Sequence, residues 1–330
     1  MKKIILLGSL CLLPVILPFS AKADIHAAPS TAGQLMNQTP NPSTSPSTSP
    51  ATNPPITKID LLAAGTGEKK QLRFTPVVNS RQTSTLTLRL DDKGLAATIP
   101  ATKLTMEIVV TQIAANGDIS FDFTYKNVDI VAEPGIPPSV IEPIRRSLSS
   151  LVGLSGAVVV DSRGQTKSTS LRLPQELDSS TQQIFEQLSN SLGQLYAPLP
   201  EEAVGLGARW RTSQELNING IQLTQSAIYE LVSNQGNVLQ LKMLVEQEAQ
   251  SQEVKLPTSP DIPAGFRVQL RSFSNQGEGE MTLQLGQMLP RRSILSSRSS
   301  VVLNLKPPQS EQSVPMNQEL NVQIILDSQP

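Results

Sequence analysis

The 330-residue sequence has one cysteine and one histidine, and neither falls in a stretch able to build a core. Cys11 lies in an apolar leader, and His26 follows it, ahead of a tract of proline, serine and threonine. Their absence elsewhere excludes disulfides, thiolate nucleophiles, Ser–His–acid triads and His- or Cys-based zinc, haem and iron–sulfur sites. Aromatic residues are scarce too: one Trp, three Tyr and seven Phe. Lys+Arg number 27 and Asp+Glu 28, so no basic excess points to nucleic acid or anionic lipid.

Glycine is present, but no G-x-x-x-x-G-K-[ST] phosphate loop occurs. Asp118, Asp122 and Asp129 supply oxygen ligand types without the D-x-D-x-D-G spacing of a calcium loop. Acidic pairs stand at Asp91-Asp92, Glu201-Glu202 and on either side of Gly279 as Glu278 and Glu280. Each reads as a solvated turn, the last near a hairpin, rather than as an acid–base pair. No catalytic residue, metal or cofactor is expected, and the sequence reads as that of a protein that is not an enzyme.

What is present begins with the leader. Lys2 and Lys3 precede an apolar run over residues 4–19, and Ala21-Lys22-Ala23 has the small-residue spacing of a cleavage site. Residues 1–23 therefore read as a secretory signal peptide, and the mature protein is expected in the periplasm or outside the cell. The run is short for a hydrocarbon core of ~30 Å and is interrupted by Pro14 and Pro18. Leu10 before Cys11 departs from the small residue a lipidation signal needs. Removing Lys2, Lys3 and Lys22 with no acid leaves the mature chain mildly acidic. No later run approaches ~18 apolar residues, so no integral membrane segment is expected after the leader.

Residues 24–57 hold repeated Pro, Ser and Thr with no hydrophobic period, the composition of a disordered linker. Residues 58–330 read as a β-rich domain, either one unit or two packed halves, 58–197 and 198–330. Apolar residues take every second position at Leu86, Leu88 and Leu90, at Leu104, Met106, Ile108 and Val110, and at Ile119, Phe121, Phe123 and Tyr125. Such alternation gives one face to a core and one to water. Asn116-Gly117 is a hairpin signal between two of these runs, and a phase slip after Tyr125 predicts a bulge near Lys126-Asn127.

In the second half, Ala208, Trp210, Leu216 and Ile218 share a face opposite Arg209, Arg211, Glu215 and Asn217. Further strands are expected over 221–233, 238–250, 267–274, 280–289, 294–305 and 316–326. Two segments have helical periodicity. Residues 139–152 place Val140, Ile141, Ile144, Leu148, Leu151 and Val152 on one stripe, and residues 179–196 do so with Ile184, Phe185, Leu188, Leu192 and Leu195. Ser139 with Glu142, and Ser179 with Gln182, have capping-box spacing.

The most distinctive stretch runs from Pro198 to Trp210. Its Pro200, Val204, Gly207 and Trp210 resemble the Pro…Val-x-x-Gly-x-x-Trp element of an uncharacterised family of secreted bacterial proteins, cyanobacterial ones among them. Ile59 to Gly65 and Leu72-Arg73-Phe74 look like that family's start. The resemblance implies a fold and no reaction.

The expected fold is mainly β: a curled antiparallel meander, an open or half barrel, with two amphipathic helices packed on one face. At the level of architecture this is similar to the unclosed barrel of bacterial lipoprotein carriers. Phe121, Phe123, Tyr125, Ile144, Leu148, Phe185, Leu188 and Trp210 are the expected lining of the core or of a cavity. Two readings of function follow. One is an envelope protein serving as a structural or protein-interaction module, partnered by another envelope protein. The other is a carrier of an apolar ligand, a lipid or acyl chain, in the cleft between sheet and helices.

Overall fold

A computed structural model describes residues 47–48, 56–92, 100–131, 138–149, 151–173, 197–218, 220–254, 265–308, 310 and 312–330. The chain is mainly β. The strands are β1 (Ser47–Thr48), β2 (Lys58–Ala63), β3 (Thr66–Lys70), β4 (Arg81–Asp92), β5 (Thr102–Ile113), β6 (Ile119–Ile130), β7 (Ser155–Val160) and β8 (Thr166–Leu173). There follow β9 (Val204–Leu206), β10 (Arg209–Ile218), β11 (Ile221–Gln235), β12 (Val238–Ala249), β13 (Gln252–Val254), β14 (Arg267–Gln284), β15 (Arg292–Lys306) and β16 (Val314–Gln329). One antiparallel sheet holds all but β3 and β9, in the order β1-β8-β7-β6-β5-β4-β16-β15-β14-β12-β11-β10-β2, with β13 beside β14. Its end strands do not pair, so the sheet is not closed. Thr57 and Gln165, just before β2 and β8, are joined across the two ends by a hydrogen bond from Gln165 Nε2 to the Thr57 carbonyl, 2.9 Å.

Alternation decides which face is buried. Leu104, Met106, Ile108 and Val110 of β5 are buried, as are Ile119, Phe121, Phe123 and Tyr125 of β6. Residues 114–118 turn between the two strands, with Gly117 at φ 85°. That left-handed backbone favours glycine. The bulge is present: Thr105 pairs with Asn127 and Met106 with Tyr125, leaving Lys126 as the extra residue. It returns Val128 and Ile130 to the inner face after the phase slip.

Two parts of the sequence reading change. The separate strands expected over 267–274 and 280–289 are one strand, β14, which runs through Gly277 and Gly279. These glycines do not turn the chain; they allow close packing on the inner face. A Cβ on Gly279 would lie 2.3 Å from the Ile294 carbonyl oxygen and 2.6 Å from Met243 Cε. Glu278 and Glu280 consequently sit in mid-strand on the outer face rather than near a hairpin.

Helices are the second change. Among the described residues there is one, α1 (Pro138–Ser149), and the expected helix over 179–196 lies outside them. Helix α1 stops short of Val152, because Leu151 and Val152 donate to the carbonyls of Leu148 and Ser149 in a tightened last turn. Gly153 then takes φ 88° and donates to the Tyr125 carbonyl, docking the turn on β6. Val152 is left exposed. Ile141 and Ile144 of the helix pack with Ile130, and Leu148 touches both this small cluster and the main core.

Loops tie one end of the sheet together. Phe74 N–H donates to the Ser162 carbonyl between β7 and β8, and Thr75 N–H to the Leu285 carbonyl after β14. Gln82 holds the backbone of Leu289 by both its N–H and its carbonyl, at 3.0 and 2.9 Å. The sequence-distant parts are also joined by strand pairing. β2 lies beside β10, and β16 lies between β4 and β15.

Candidate functional site

The inner face carries two main apolar clusters. The larger contains Phe121, Phe123, Tyr125 and Trp210, with Leu148 packed against it. The second gathers Leu216, Leu223, Val268, Leu270, Phe273 and Leu303 at the other end of the later strands. Between them runs a row of amide and hydroxyl groups. Gln247 donates to Gln225 Oε1 at 2.6 Å, Asn275 to Gln247 Oε1 at 3.1 Å, and Ser299 to Asn275 Oδ1 at 2.9 Å. Hydrogen bonding across four neighbouring strands offsets the desolvation of these groups and fixes strand register.

Of the sequence-expected lining residues, Phe121, Phe123, Tyr125, Ile144 and Trp210 are buried. Ile144 belongs to the small helix cluster, away from the aromatic group. Phe185 and Leu188 lie outside the described residues. Tyr125 meets Phe123 edge to face at 5.8 Å, and burial pushes its hydroxyl pKa far up. Trp210 stacks on Tyr229 at 5.7 Å and 20°. Burial raises the Tyr229 pKa to about 12, against a smaller lowering by its hydrogen bond with Thr212. These groups form a packed interior, with the only tryptophan fully enclosed.

A concave feature lies on the opposite face. A groove of about 860 Å³ crosses β12, β14, β15, β16 and β4. Two outward rows line it. One runs Leu244, Glu278, Ser296, Gln323, Arg89; the other runs Glu246, Gln276, Arg298, Asn321, Asp91. The backbone between them belongs to Val245, Gly277, Ser297, Val322 and Leu90. The central strand, β15, contributes the short Ser296 and the long Arg298, and the other charged groups stand on β12, β14 and β4. The sequence does not single out this groove, since each outward residue alone resembles any solvated strand position. No local pattern in the sequence marks it.

Of the three aspartates considered for metal binding, Asp129 accepts the Ile130 N–H at 2.8 Å and the other two are in separate ion pairs. Asp118 contacts Lys167 at 2.6 Å and Asp122 contacts Arg172 at 2.9 Å. The hydrogen bond from Lys167 holds the Asp118 carboxyl below its usual pKa. Among the described residues no group of three or more carboxylate, histidine or cysteine side chains converges as a metal site. No helix there is long and apolar enough to cross a membrane. No protein-family model matches the chain, and no curated protein matches it.

Proposed function

We propose that this chain is an exported, non-enzymatic envelope protein that works as a protein-interaction module, using the outer face of its curled sheet. The observation carrying the reading is the contrast between the two faces. Inside, Trp210, Phe121 and Phe123 are enclosed by neighbours and held by specific contacts; outside, five strands share a groove. A carrier of apolar molecules needs its apolar surface available to cargo, whereas an interaction module presents a shaped polar surface and keeps its apolar residues for stability. The signal-like leader supplies the route out of the cytoplasm.

Photo-crosslinking in the native envelope tests this reading. A benzophenone amino acid at Gln276, in the groove, is compared with one at Glu253, outside the groove on β13. One discrete protein adduct from position 276, missing from position 253, is the expected result. Native mass spectrometry of the purified chain provides the opposing outcome: stoichiometric lipid bound inside the fold would overturn the module in favour of a carrier.

A further inference from the structure

We infer that the groove takes an extended polypeptide segment carrying two basic side chains about six residues apart. This rests on the interaction-module reading and specifies its ligand. The argument begins with the charges that are already engaged. Arg89 donates to Gln323 Oε1 at 3.2 Å, and Arg298 pairs with Glu319 at 2.6 Å. Asp91, Glu246 and Glu278, by contrast, make no ion pair or side-chain hydrogen bond among the described residues. Arg298 is thereby neutralised, whereas Arg89 keeps its charge beside a neutral amide; three unpaired carboxylates against that one guanidinium leave the groove net negative. The charge presented to an incoming molecule is negative.

Position makes this more than a local excess of acid. Glu246 and Glu278 stand on β12 and β14, at one end of the groove, and Asp91 stands on β4 at the other. Four inter-strand steps separate β12 from β4, which is ~19 Å at the usual sheet spacing. An extended chain advances about 3.3 Å per residue, so basic side chains about six residues apart meet both ends together.

Gln276, Asn321 and Gln323 line the intervening stretch and offer donors and acceptors to a peptide backbone. Ser296 is short, and Gly277 and Ser297 face inward and offer only backbone, so the ligand main chain can lie close to the sheet there. The groove has no aromatic ring for stacking on a sugar or base, and its free charge repels phosphate. A basic polypeptide is the ligand class that fits both the amides and the carboxylates.

The test uses the full chain and three fluorescein-labelled heptapeptides with a Ser/Gln filler, followed by anisotropy at low salt. The first has lysine at positions 1 and 7, the second has glutamate there, and the third has the two lysines adjacent. The expected result is saturable binding of the first, none of the second, and clearly weaker binding of the third. Glu246→Gln and Asp91→Asn, at the two ends of one row, should each weaken the first peptide about two- to fivefold, the range for exposed ion pairs. Added salt should weaken it further. Arg267→Gln, on β14 beyond the groove, should leave it unchanged.

All three substituted positions are exposed, and circular dichroism confirms that each variant is folded. Equal binding of all three peptides, or indifference to both carboxylate substitutions, overturns the inference. A specific protein crosslink at position 276 combined with failed peptide binding would sink this ligand alone. Bound lipid inside the fold would sink the module reading beneath it.

Discussion

Trp210 donates its indole N–H to the carbonyl of Pro198 at 2.9 Å, across a span of twelve residues. The bond joins the segment entering the second half of the sheet to the first turn of β10. It also satisfies the one polar atom of a side chain that is wholly enclosed. Here a single residue both fills the core and fixes how the chain crosses its end.

Trp210→Phe removes that donor, strands a buried carbonyl and leaves part of the indole volume empty. The expected loss is about 2–4 kcal/mol of stability. Urea unfolding followed by far-UV circular dichroism measures it, since the variant lacks the only intrinsic tryptophan signal. An unchanged midpoint would show that the enclosure contributes little.

Gly279→Ala should destabilise by about 1–3 kcal/mol through overpacking. Two neighbours would be struck, the Met243 methyl at 2.6 Å and the Ile294 carbonyl at 2.3 Å. Methionine is flexible, but a ladder carbonyl is not. Adding Met243→Ala should therefore fail to restore the wild-type Tm, whereas full rescue would identify the side chain as the sole obstacle.

Gln82→Leu tests the tie between β4 and the loop after β14. Its carboxamide makes two buried hydrogen bonds to Leu289, and their loss leaves one N–H and one carbonyl without those partners. The expected cost is about 2–4 kcal/mol. Hydrogen exchange at Leu289 should accelerate more than exchange in β6. Uniform acceleration would mean that the loop has no separate opening.

Alkaline pH should weaken the fold. The folded Tyr229 pKa of about 12 lies above the ordinary value of 10.0. The unfolded chain therefore releases its proton first as pH rises. The contribution is fully present below pH 10 and is lost between about 10 and 12. Tyr125 acts in the same direction, by burial. Unfolding measured at pH 9 and pH 11 should show a smaller drop for Tyr125→Phe than for the wild type. Equal drops would show that Tyr125 ionises alike in both states.

The same residues explain how much of the molecule was legible in its sequence. Period-two alternation in β5 and β6 marks the inner face directly, and even the Lys126 bulge leaves a trace as a phase slip. Trp210 was readable as an anchor because it stands among alternating apolar positions after a Pro/Gly turn. Gly277 and Gly279 were misleading because glycine has two uses, turning a chain and admitting a neighbour, and only tertiary packing chooses between them. The groove was not legible at all. Asp91 meets Asn321 across β4 and β16 through a contact separated by most of the chain, and local patterning carries no record of it.

The place of β16 has a consequence in time as well as space. It is the last in sequence of the described strands, yet it lies between β4 and β15, with Ser84 and Ser328 hydrogen-bonded at 2.7 Å inside the joint. Until that strand arrives, β4 and β15 each present an open edge, and the strands made first have no route to those made later through this side of the sheet. Pairing between the earlier and the later strands on this side of the sheet waits for β16. Such a joint between sequence-distant strands must meet its loop-closure cost before its contacts form, which slows folding of the whole sheet.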